Sequence, residues 1–589
     1  MKRGQKLSAL LAAGLLLTSQ AAPITETAGT AAAAAADDTQ DDWLHVEGDK
    51  IVDMNGNEVW LTGVNWFGYN VTTQCFDGVW SRNMHEMLTE MADHGFNLMR
   101  VPMSTQILLQ WKNLAPDPYM VKINEWKNPE LTVEGVAGGK PKYSFDIWNM
   151  AVQWCKELGI KIMIDIHCAT TASNGHQYPL WYDSNYSYDD WLEALNWVAD
   201  YYKNDDTIIA IDLKNEPHGK NDGQGMAKWD DSKDDTNWKY AAERGANAVL
   251  SANPHLLVMV EGIEVYPKFE EGQDWDSPMI VYQTNYSPFY GAWWGGNFRG
   301  ARDYPVNLGK YQSQLVYSPH DYGPLVWKQD WFAKDFSRET LLDDYWRDTW
   351  AYLAEEKISP LLMGEWGGFI DETKDPTGDN KKWMIILRDY MIEKHIHHTF
   401  WCFNENSGDT GGLLINDFQN WDEDKYELVK PALWQDENGV FIGLDHQIPL
   451  GANGQTVTQY YNGGSVVTKP TVTTTTETVT TTTASSTHTT CSTSITTSTS
   501  TSTSTSTTET DPPGKKSKPG DVDCNGTVNV QDAVLLCRIV GDEDGLEVSE
   551  ESKMNAECNG KIGVDSGDVS RLMQYLAKRC SLSDLVGLN

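Results

Sequence analysis

The stretch "IIAIDLKNEPHGK", residues 208–220, begins like a buried strand and does not end like one. Five of its first six residues are apolar, which is typical of a parallel strand covered on both faces. A core strand more often ends at a turn residue than at a carboxamide beside a carboxylate, yet this run leads to Asn215 and Glu216. The residues at the ends of the other strand-like runs explain why Asn215 and Glu216 stand at the end of this one.

Seven further runs share this apolar character. In chain order the eight are "EVWLTGVNW" (58–66), "FNLMRVP" (96–102), "IKIMIDIH" (160–167), "IIAIDLKNE" (208–216), "LLVMVEG" (256–262), "LVYSPHDY" (315–322), "SPLLMGEW" (359–366) and "HHTFWCFN" (397–404). Amphipathic helical runs lie between them at 81–94, 145–158, 189–202, 237–251, 339–356 and 380–394. This alternation predicts an α/β fold, a (β/α)8 barrel of the TIM type. A doubly wound open sheet is the alternative, although no Gly-rich phosphate loop follows the first strand.

Polar and aromatic side chains stand at the ends of these strands, where barrels of this type place their reacting groups. The ends are Trp66, Arg100, His167, Asn215 with Glu216, Glu261, His320 with Tyr322, Glu365 and Trp401. Each of them alone has an ordinary structural explanation. Their joint occurrence favours one cavity lined by all of them.

Two of these side chains, Glu216 and Glu365, belong to strands four and seven, on opposite sides of the predicted barrel mouth. Hydrolysis of a glycosidic bond uses two carboxyl groups that flank an oxocarbenium-like transition state. One carboxyl group must have a raised pKa to act as the acid, and the other must stay ionised to act as the nucleophile. Arg100 supplies a cation, and the His and Tyr residues supply hydrogen-bond donors, that can keep one carboxyl group ionised. Asn215 is suited to hydrogen-bond a sugar 2-hydroxyl group.

Several motifs then resemble glycoside hydrolase family 5, and most closely its bacterial endo-β-1,4-glucanase (cellulase) branch. They are "GVNWFGYN" (63–70), "NLMRVPMS" (97–104), "DLKNEPHG" (212–219), "WWGGN" (293–297), "SPHDYGP" (318–324), "LMGEWGG" (362–368) and "FWCFNENSGDTGG" (400–412). The likeness covers roughly residues 43–435. It implies a retaining mechanism without a catalytic metal, with Glu216 as acid/base and Glu365 as nucleophile. It also implies that the substrate is bound by Arg100, His167, Asn215, His320, Tyr322, Trp401, Trp66 and Trp294.

Three residues outside this set also carry expectations. Glu261 has no matching catalytic role and is interpreted as a structural or supporting residue. In relatives a disulfide ties similar loops, and the resemblance suggests a Cys75–Cys168 pair, although the second cysteine of the relatives falls elsewhere.

The ends of the chain predict export and a second module. Residues 1–36 combine a basic tip, an apolar stretch too short to cross a bilayer and an Ala-rich tract, which indicates a secretory signal peptide. A catalytic domain at 41–450 is followed by a Thr/Ser-rich linker at 465–518 and a small unit at 519–582. The net charge of −38 argues against nucleic acid as a partner, and the 25 Trp residues suit a protein that stacks sugar rings.

The small unit contains two copies of a calcium-loop pattern followed by a helix. The expected ligands are Asp521, Asp523, Asn525, Thr527 and Asp532 in the first copy, and Asn555, Glu557, Asn559, Lys561 and Asp568 in the second. The second copy departs from the pattern, since a strict count puts Ser566 at its twelfth position and an alignment of the helices puts Asp568 there. Two such repeats resemble a dockerin, which implies an all-α module with about two calcium ions that binds a cohesin on a scaffold protein. A generic calcium-binding pair is the alternative.

The sequence therefore predicts a secreted endo-β-1,4-glucanase attached to a cellulosome-type scaffold. The same fold and residues also suit cleavage of mannan, xylan or mixed-linkage glucan, and the loop 263–314 is expected to decide among these substrates. A carbohydrate-binding subunit without catalysis is the alternative from another class, and the presence of both glutamates argues against it.

Overall fold

The structure of the protein is a computed structural model. The residues that the structure describes are 42–113, 121–171, 178–220, 225–278 and 288–463, and near the carboxyl terminus 518–522, 524, 528, 530–540, 548–558, 564 and 566–576. The chain divides into two compact units, Met1–Leu109 with Asp117–Ser465, and Gln110–Pro116 with Val466–Asn589. The expected signal peptide and all of the expected linker except Lys518 lie outside the described residues.

Eight parallel strands form the centre of the first unit. They are β1 (Thr62–Asn65), β2 (Leu98–Ser104), β3 (Lys161–Cys168), β4 (Ile208–Asp212), β5 (Leu257–Val260), β6 (Leu315–Tyr317), β7 (Leu362–Met363) and β8 (His397–Phe400). Their order is β6-β5-β4-β3-β2-β1-β8-β7. Two isolated parallel bridges, Tyr317 with Leu361 and His320 with Glu365, join β6 to β7. The predicted eight-stranded (β/α)8 barrel is confirmed.

Helices follow seven of the eight barrel strands. They are α1 (Met84–Asp93), α2 (Thr105–Lys112), α3 (Ser144–Leu158), α4 (Tyr188–Tyr201), α5 (Trp238–Ala252), α6 (Arg338–Leu341), α7 (Tyr352–Glu355), α8 (Asp379–Lys394) and α9 (Glu423–Val429), with α10 (Val457–Tyr461) after the barrel. A π-helical stretch, Leu342–Ala351, joins α6 to α7. Each helical run expected from the sequence is present. Within the described residues β5 is followed by 3-10 turns and an antiparallel hairpin, Val265–Pro267 with Phe289–Gly291, in place of an α-helix.

Shorter elements complete the first unit. Two further hairpins pair His45–Glu47 with Lys50–Val52 and Leu414–Ile415 with Asn420–Trp421. The 3-10 turns are Pro129–Leu131, Phe269–Glu271, Arg299–Ala301, Gly309–Gln314, Asp330–Phe332 and Lys430–Ala432. None of the described helices has both the length and the apolar character that a membrane span requires.

Apolar side chains fill the end of the barrel at which the strands begin. Leu98, Met163, Ile209, Leu257 and Val316 from five strands belong to one buried cluster. The chain that follows the barrel closes this cluster from below, through Trp434, Ile442, Leu444 and Val457. Because this end is filled with apolar side chains, polar residues are left for the carboxyl ends of the strands.

The described part of residues 518–576 contains three helices, α11 (Val530–Val540), α12 (Glu550–Ala556) and α13 (Ser566–Leu576). Its core contains Val522, Ala533, Leu536, Ala556, Cys558 and Leu572. Residues 531–540 and 566–576 are the helices that the two sequence repeats predict after their loops.

Candidate active site

Glu216 lies four residues beyond the end of β4 and adopts a conformation that side chains rarely take. Its φ angle is +50°, in the left-handed region that costs a residue with a side chain about 1 kcal/mol or more. Its backbone N–H donates to Glu261 Oε2 at 2.8 Å. Its carboxyl group is buried with 8% of the residue exposed.

Glu365 lies beyond β7 and is bound by three side chains. Arg100 Nη1 donates to Glu365 Oε1 at 2.8 Å, and the Tyr322 hydroxyl donates to Oε2 at 2.7 Å. His320 Nδ1 is 3.6 Å from the same Oε2 and 3.1 Å from Glu216 Oε1. One carboxylate oxygen of Glu216 and one of Glu365 lie within 4.8 Å of each other.

The pKa values of the two glutamates shift in opposite directions. Burial raises the pKa of Glu216 to about 7, and the charge of Glu365 adds to this rise, while the hydrogen bond with His320 opposes it. Burial also acts to raise the pKa of Glu365, but His320, Arg100 and the Tyr322 hydroxyl together bring it below its usual value. Near neutral pH the pair therefore offers one proton donor and one carboxylate.

Arg100 is the cation at the base of the site. The sequence predicted it at a strand end, but β2 continues to Ser104, so its fully buried guanidinium lies inside the barrel. It lies within 3.3 Å of four carboxylates, those of Asp165, Asp212, Glu261 and Glu365. Burial raises the pKa of Asp165 to about 7 and that of Asp212 to about 6, and the charge of Arg100 opposes both shifts.

Sequence reasoning missed Asp165 and Asp212. Both lie inside apolar strand runs, at positions that face the barrel interior and contact Arg100. A charged residue in the middle of a buried run is the signal that could have identified them, since buried charges are retained when they are paired.

Asn215 is placed beside Glu216 with a free donor. Its Oδ1 accepts a hydrogen bond from Arg100 Nη2 at 2.9 Å, and its Nδ2 is buried with no hydrogen-bond partner among the described residues. The carboxamide is therefore oriented by Arg100 and keeps two N–H bonds for a ligand.

Three rings near the carboxyl ends of β1, β3 and β8 lie almost parallel. The His167 and Trp401 ring centroids are 5.7 Å apart with an interplanar angle of 9°, and those of Phe67 and Trp401 are 5.6 Å apart at 17°. Phe67 and Trp401 are half-buried. His167 Nδ1 lies 2.6 Å from Asp165 Oδ2, which fixes the orientation of its ring.

The prediction that Trp66 lines the sugar cleft is wrong. Its side chain is fully buried, stacks on Phe76 at 4.2 Å and donates from Nε1 to the carbonyl of Asp77 at 2.9 Å. β1 ends at Asn65. Of the two aromatic residues that follow it, Trp66 is buried and Phe67 is partly exposed.

Trp294 is half-buried and stacks on His218 with ring centroids 3.8 Å apart and an interplanar angle of 4°. His218 Nδ1 lies 2.6 Å from the Glu216 carbonyl oxygen. The indole is therefore connected to the Glu216 turn, as expected of a ring beside the reaction centre.

The structure does not contain the suggested Cys75–Cys168 disulfide, although both cysteines are buried. Cys168 Sγ instead approaches the carbonyl of Asn70 at 3.6 Å. Glu261, in contrast, lies at the centre of the site, where it contacts Arg100, His320 and the Glu216 backbone.

The expected calcium ligands of the second unit are described only in part. Asp523, Asn525, Thr527, Asn559 and Lys561 lie outside the described residues. Asp532 and Asp568, the acids that begin the two helices, are both fully buried. Asp568 Oδ1 accepts the Cys558 N–H at 2.8 Å, and Asn555 Nδ2 donates to the Asp521 carbonyl at 2.8 Å.

A (β/α)8 barrel with two unlike, closely spaced glutamates at its carboxyl end has the architecture and the carboxyl pair of a retaining or inverting glycosidase. The sequence profile of the cellulase family (glycosyl hydrolase family 5) matches residues 52–407. The chain belongs to this family and is a glycoside hydrolase.

Named relatives are similar over most of their length. Endoglucanase G of Acetivibrio thermocellus is 50% identical over 492 residues, which cover 80% of this chain and 86% of that protein. Endoglucanase B of the same organism is 42% identical, covering 78% and 84%. The solved structure of an endocellulase from Pyrococcus horikoshii in complex with cellotetraose is 32% identical, with a TM-score of 0.56, covering 67% of this chain and 98% of that one. The catalytic domain of the major endoglucanase of Xanthomonas campestris is 31% identical with a TM-score of 0.54, covering 66% and 99%.

Proposed function

We propose that this protein is a secreted endo-β-1,4-glucanase that hydrolyses internal bonds of cellulose with retention of configuration. The names of the endoglucanase relatives support the reaction and the substrate class. The spacing of the two carboxylates is the observation that carries the mechanism. Retaining enzymes place their carboxyl groups about 5–5.5 Å apart, whereas inverting enzymes leave about 6.5–9.5 Å for a water molecule. His320 Nδ1 lies 3.1 Å from Glu216 Oε1 and 3.6 Å from Glu365 Oε2, and this close approach of the two carboxylates to one nitrogen supports retention.

In the first step Glu365 attacks the anomeric carbon while Glu216 protonates the departing glycosidic oxygen. The bond from the anomeric carbon to that oxygen breaks, and a glycosyl ester of Glu365 forms. The proposed roles follow from the opposite pKa shifts, because a nucleophile must be ionised and an acid must carry a proton. No metal is needed for this step.

In the second step Glu216, now a carboxylate, takes a proton from water, and the water oxygen attacks the same carbon and releases Glu365. His320 contacts both carboxylates and is suited to stabilise the charge as it moves between them. Asn215, through its free Nδ2, is proposed to donate to the sugar 2-hydroxyl, where a hydrogen bond strengthens in the transition state.

Aromatic faces are proposed to hold the glucan chain. Trp401 and Trp294 are both half-buried, and half-buried Phe67 is proposed to take the part expected of Trp66. Sugar rings stack on such surfaces because their axial C–H faces are apolar. Arg100, His167 and Tyr322 complete the proposed binding set.

Release of reducing sugar from a soluble cellulose derivative, mannan, xylan and barley-type glucan tests this function, with Glu365→Gln run beside the wild type. The proposal expects cleavage of the cellulose derivative and loss of nearly all activity in Glu365→Gln. Cleavage of mannan or xylan without cleavage of the cellulose derivative would overturn the substrate. Equal activity of wild type and variant would overturn the mechanism.

We further propose that residues 1–36 direct secretion and that the 519–582 unit is a dockerin that binds about two calcium ions and a cohesin. The paired loop-helix repeats and the buried acids Asp532 and Asp568 support this assignment. The two Acetivibrio relatives match 80% and 78% of the chain, whereas the endoglucanase of Paenibacillus polymyxa matches 66%. The similarity to the Acetivibrio proteins therefore extends over more of the chain.

A further inference from the structure

Asp321 lies between two residues of the site and points away from it. It follows β6 in the segment that contains His320 and Tyr322, and successive residues of an extended chain project to opposite sides. His320 and Tyr322 reach the two glutamates. Asp321 projects outward, toward the helices that surround the barrel.

Three indole N–H groups converge on the Asp321 carboxylate. Trp346 Nε1 and Trp350 Nε1 donate to Oδ2 at 3.0 and 3.1 Å, and Trp383 Nε1 donates to Oδ1 at 3.2 Å. Trp346 and Trp350 are four residues apart in the π-helical stretch, whereas Trp383 belongs to α8. All four side chains are fully buried.

This arrangement is unusual for the space between a barrel and its helices, which apolar side chains normally fill. Burying a carboxylate is costly unless every lone pair finds a donor, and the donors here are neutral. Burial raises the pKa of Asp321, and the three indole hydrogen bonds oppose that shift. A buried carboxylate at this position therefore costs desolvation free energy that an apolar side chain would not.

The backbone of the same segment is bonded to the strand that carries Glu365. The Asp321 N–H donates to the Glu365 carbonyl at 3.2 Å, and the Gly364 N–H donates to the Pro319 carbonyl at 2.9 Å. A Cβ atom at Gly323 would lie 2.1 Å from Asn380 Oδ1, so the segment also packs closely on α8. A shift at Asp321 is therefore transmitted to both of its neighbours.

We propose that Asp321 is a positioning residue whose carboxylate, bound by three indole N–H groups, sets the positions of His320 and Tyr322 relative to Glu216 and Glu365. The inference rests on the proposed roles of the two glutamates. The segment has only two direct bonds to the catalytic carboxyl groups, and both come from the immediate neighbours of Asp321.

The test compares Asp321→Asn and Trp350→Phe in the full-length protein. In Asp321→Asn one carboxylate oxygen is replaced by an NH2 group, which cannot accept a hydrogen bond from an indole N–H. One or more of the three indole hydrogen bonds is therefore lost. Displacement of Tyr322 and His320 is expected to lower kcat about 10- to 100-fold with little change in KM, and to move the acid limb of the pH profile of kcat to higher pH. Trp350→Phe replaces the indole by a smaller aromatic ring, removes one N–H and is expected to shift the same limb less.

Gln314→Leu is the matched control at the other end of β6. Gln314 is buried, and its Nε2 donates to three backbone carbonyls, those of Leu44, His255 and Leu256. This variant loses all three of these hydrogen bonds, and none of them lies near the carboxyl ends of the strands. It is expected to lower Tm and to leave both pH limbs in place.

An acid limb that stays in place in Asp321→Asn, or that moves equally in Gln314→Leu, would overturn the proposal. If Asp321→Asn does not fold, Trp350→Phe decides, and an unmoved limb in that variant overturns it. The measurements use whichever β-glycan the wild type cleaves. Failure of the wild type on the cellulose derivative thus counts against the proposed substrate and not against the role of Asp321.

Discussion

Glu216 and Glu365 have the same functional group, and their neighbours make them chemically different. Glu365 accepts a hydrogen bond from Arg100 and one from Tyr322. Glu216 hydrogen-bonds to neither Arg100 nor Tyr322 but lies beside His320, and it is buried next to the negative charge of Glu365. Activity should therefore be lost as the pH falls through the lowered pKa of Glu365 and as it rises through the pKa of Glu216 near 7.

At this scale we predict that Tyr322→Phe moves the acid limb of the kcat profile to higher pH. The hydroxyl donates to the ionised form of Glu365, so its removal raises the pKa of that carboxyl group. The basic limb, which reports Glu216, should stay near 7. The measurement is kcat as a function of pH on a soluble cellulose derivative.

Tyr317→Phe is the control. Tyr317 is a buried tyrosine at the end of β6, and its hydroxyl accepts only the Val306 N–H, at 3.0 Å, among the described contacts. Its pH profile should match that of the wild type. An acid limb that is unchanged in Tyr322→Phe would show that the hydroxyl does not set the pKa of Glu365.

Residue-level prediction from sequence succeeded where a strand end fixed the position. Asn215, Glu216, His320, Tyr322 and Glu365 are brought together as expected, because the carboxyl ends of parallel strands meet at one edge. It failed for Trp66, since a difference of one residue in where β1 ends decides which of Trp66 and Phe67 is buried. The acids that surround Arg100 were missed because they lie inside apolar runs.

At the scale of elements, the loop after β5 supports the Glu216 turn. Gly295 has a φ angle of +73°, and a Cβ atom there would lie 2.1 Å from Glu261 Oε2, the oxygen that accepts the Glu216 N–H. We predict that Gly295→Ala displaces Glu261 and lowers kcat about tenfold or more. Kinetics with the soluble cellulose derivative and a thermal melt measure the effect.

Gly309→Ala separates this effect from backbone strain. Gly309 also has a positive φ angle, +58°, but no atom lies within 4 Å of its Cβ position. The substitution should destabilise the protein by about 1 kcal/mol and leave kcat unchanged. A loss of kcat as large as that of Gly295→Ala would contradict the role of the Glu261 contact.

Element boundaries show how far periodicity can be used. The apolar runs located all eight barrel strands, since parallel strands covered on both faces are apolar throughout. The same runs overestimated the strand lengths, and β7 is regular only over Leu362–Met363. The sequence placed no helical run between β5 and β6, as observed among the described residues, but it did not indicate the hairpin there, whose pairing joins residues far apart along the chain.

For the whole molecule, we predict that the second unit needs calcium while the first does not. Replacing the buried Asp532 by Asn should remove one of about two bound calcium ions and weaken cohesin binding. Titration calorimetry with calcium and pull-down with a cohesin measure these effects on the full chain. Release of reducing sugar should stay at the wild-type level.

Asp424→Asn, an exposed acid at the start of α9, is the control and should change neither calcium binding nor cohesin binding. Addition of a chelator should release the wild-type protein from the cohesin. Cohesin binding that persists in a chelator would contradict the calcium-loop assignment.

The most direct test of the proposed mechanism is to trap the glycosyl ester on the intact protein. A 2-deoxy-2-fluoro cellobioside with a good leaving group should inactivate the enzyme. Fluorine slows both oxocarbenium-like steps, and the good leaving group speeds only the first, so the ester accumulates. Mass spectrometry after proteolysis should then find one sugar adduct, on the peptide that contains Glu365. An adduct on Glu216, or turnover of the reagent to a product of inverted configuration with no adduct, would contradict retention through Glu365.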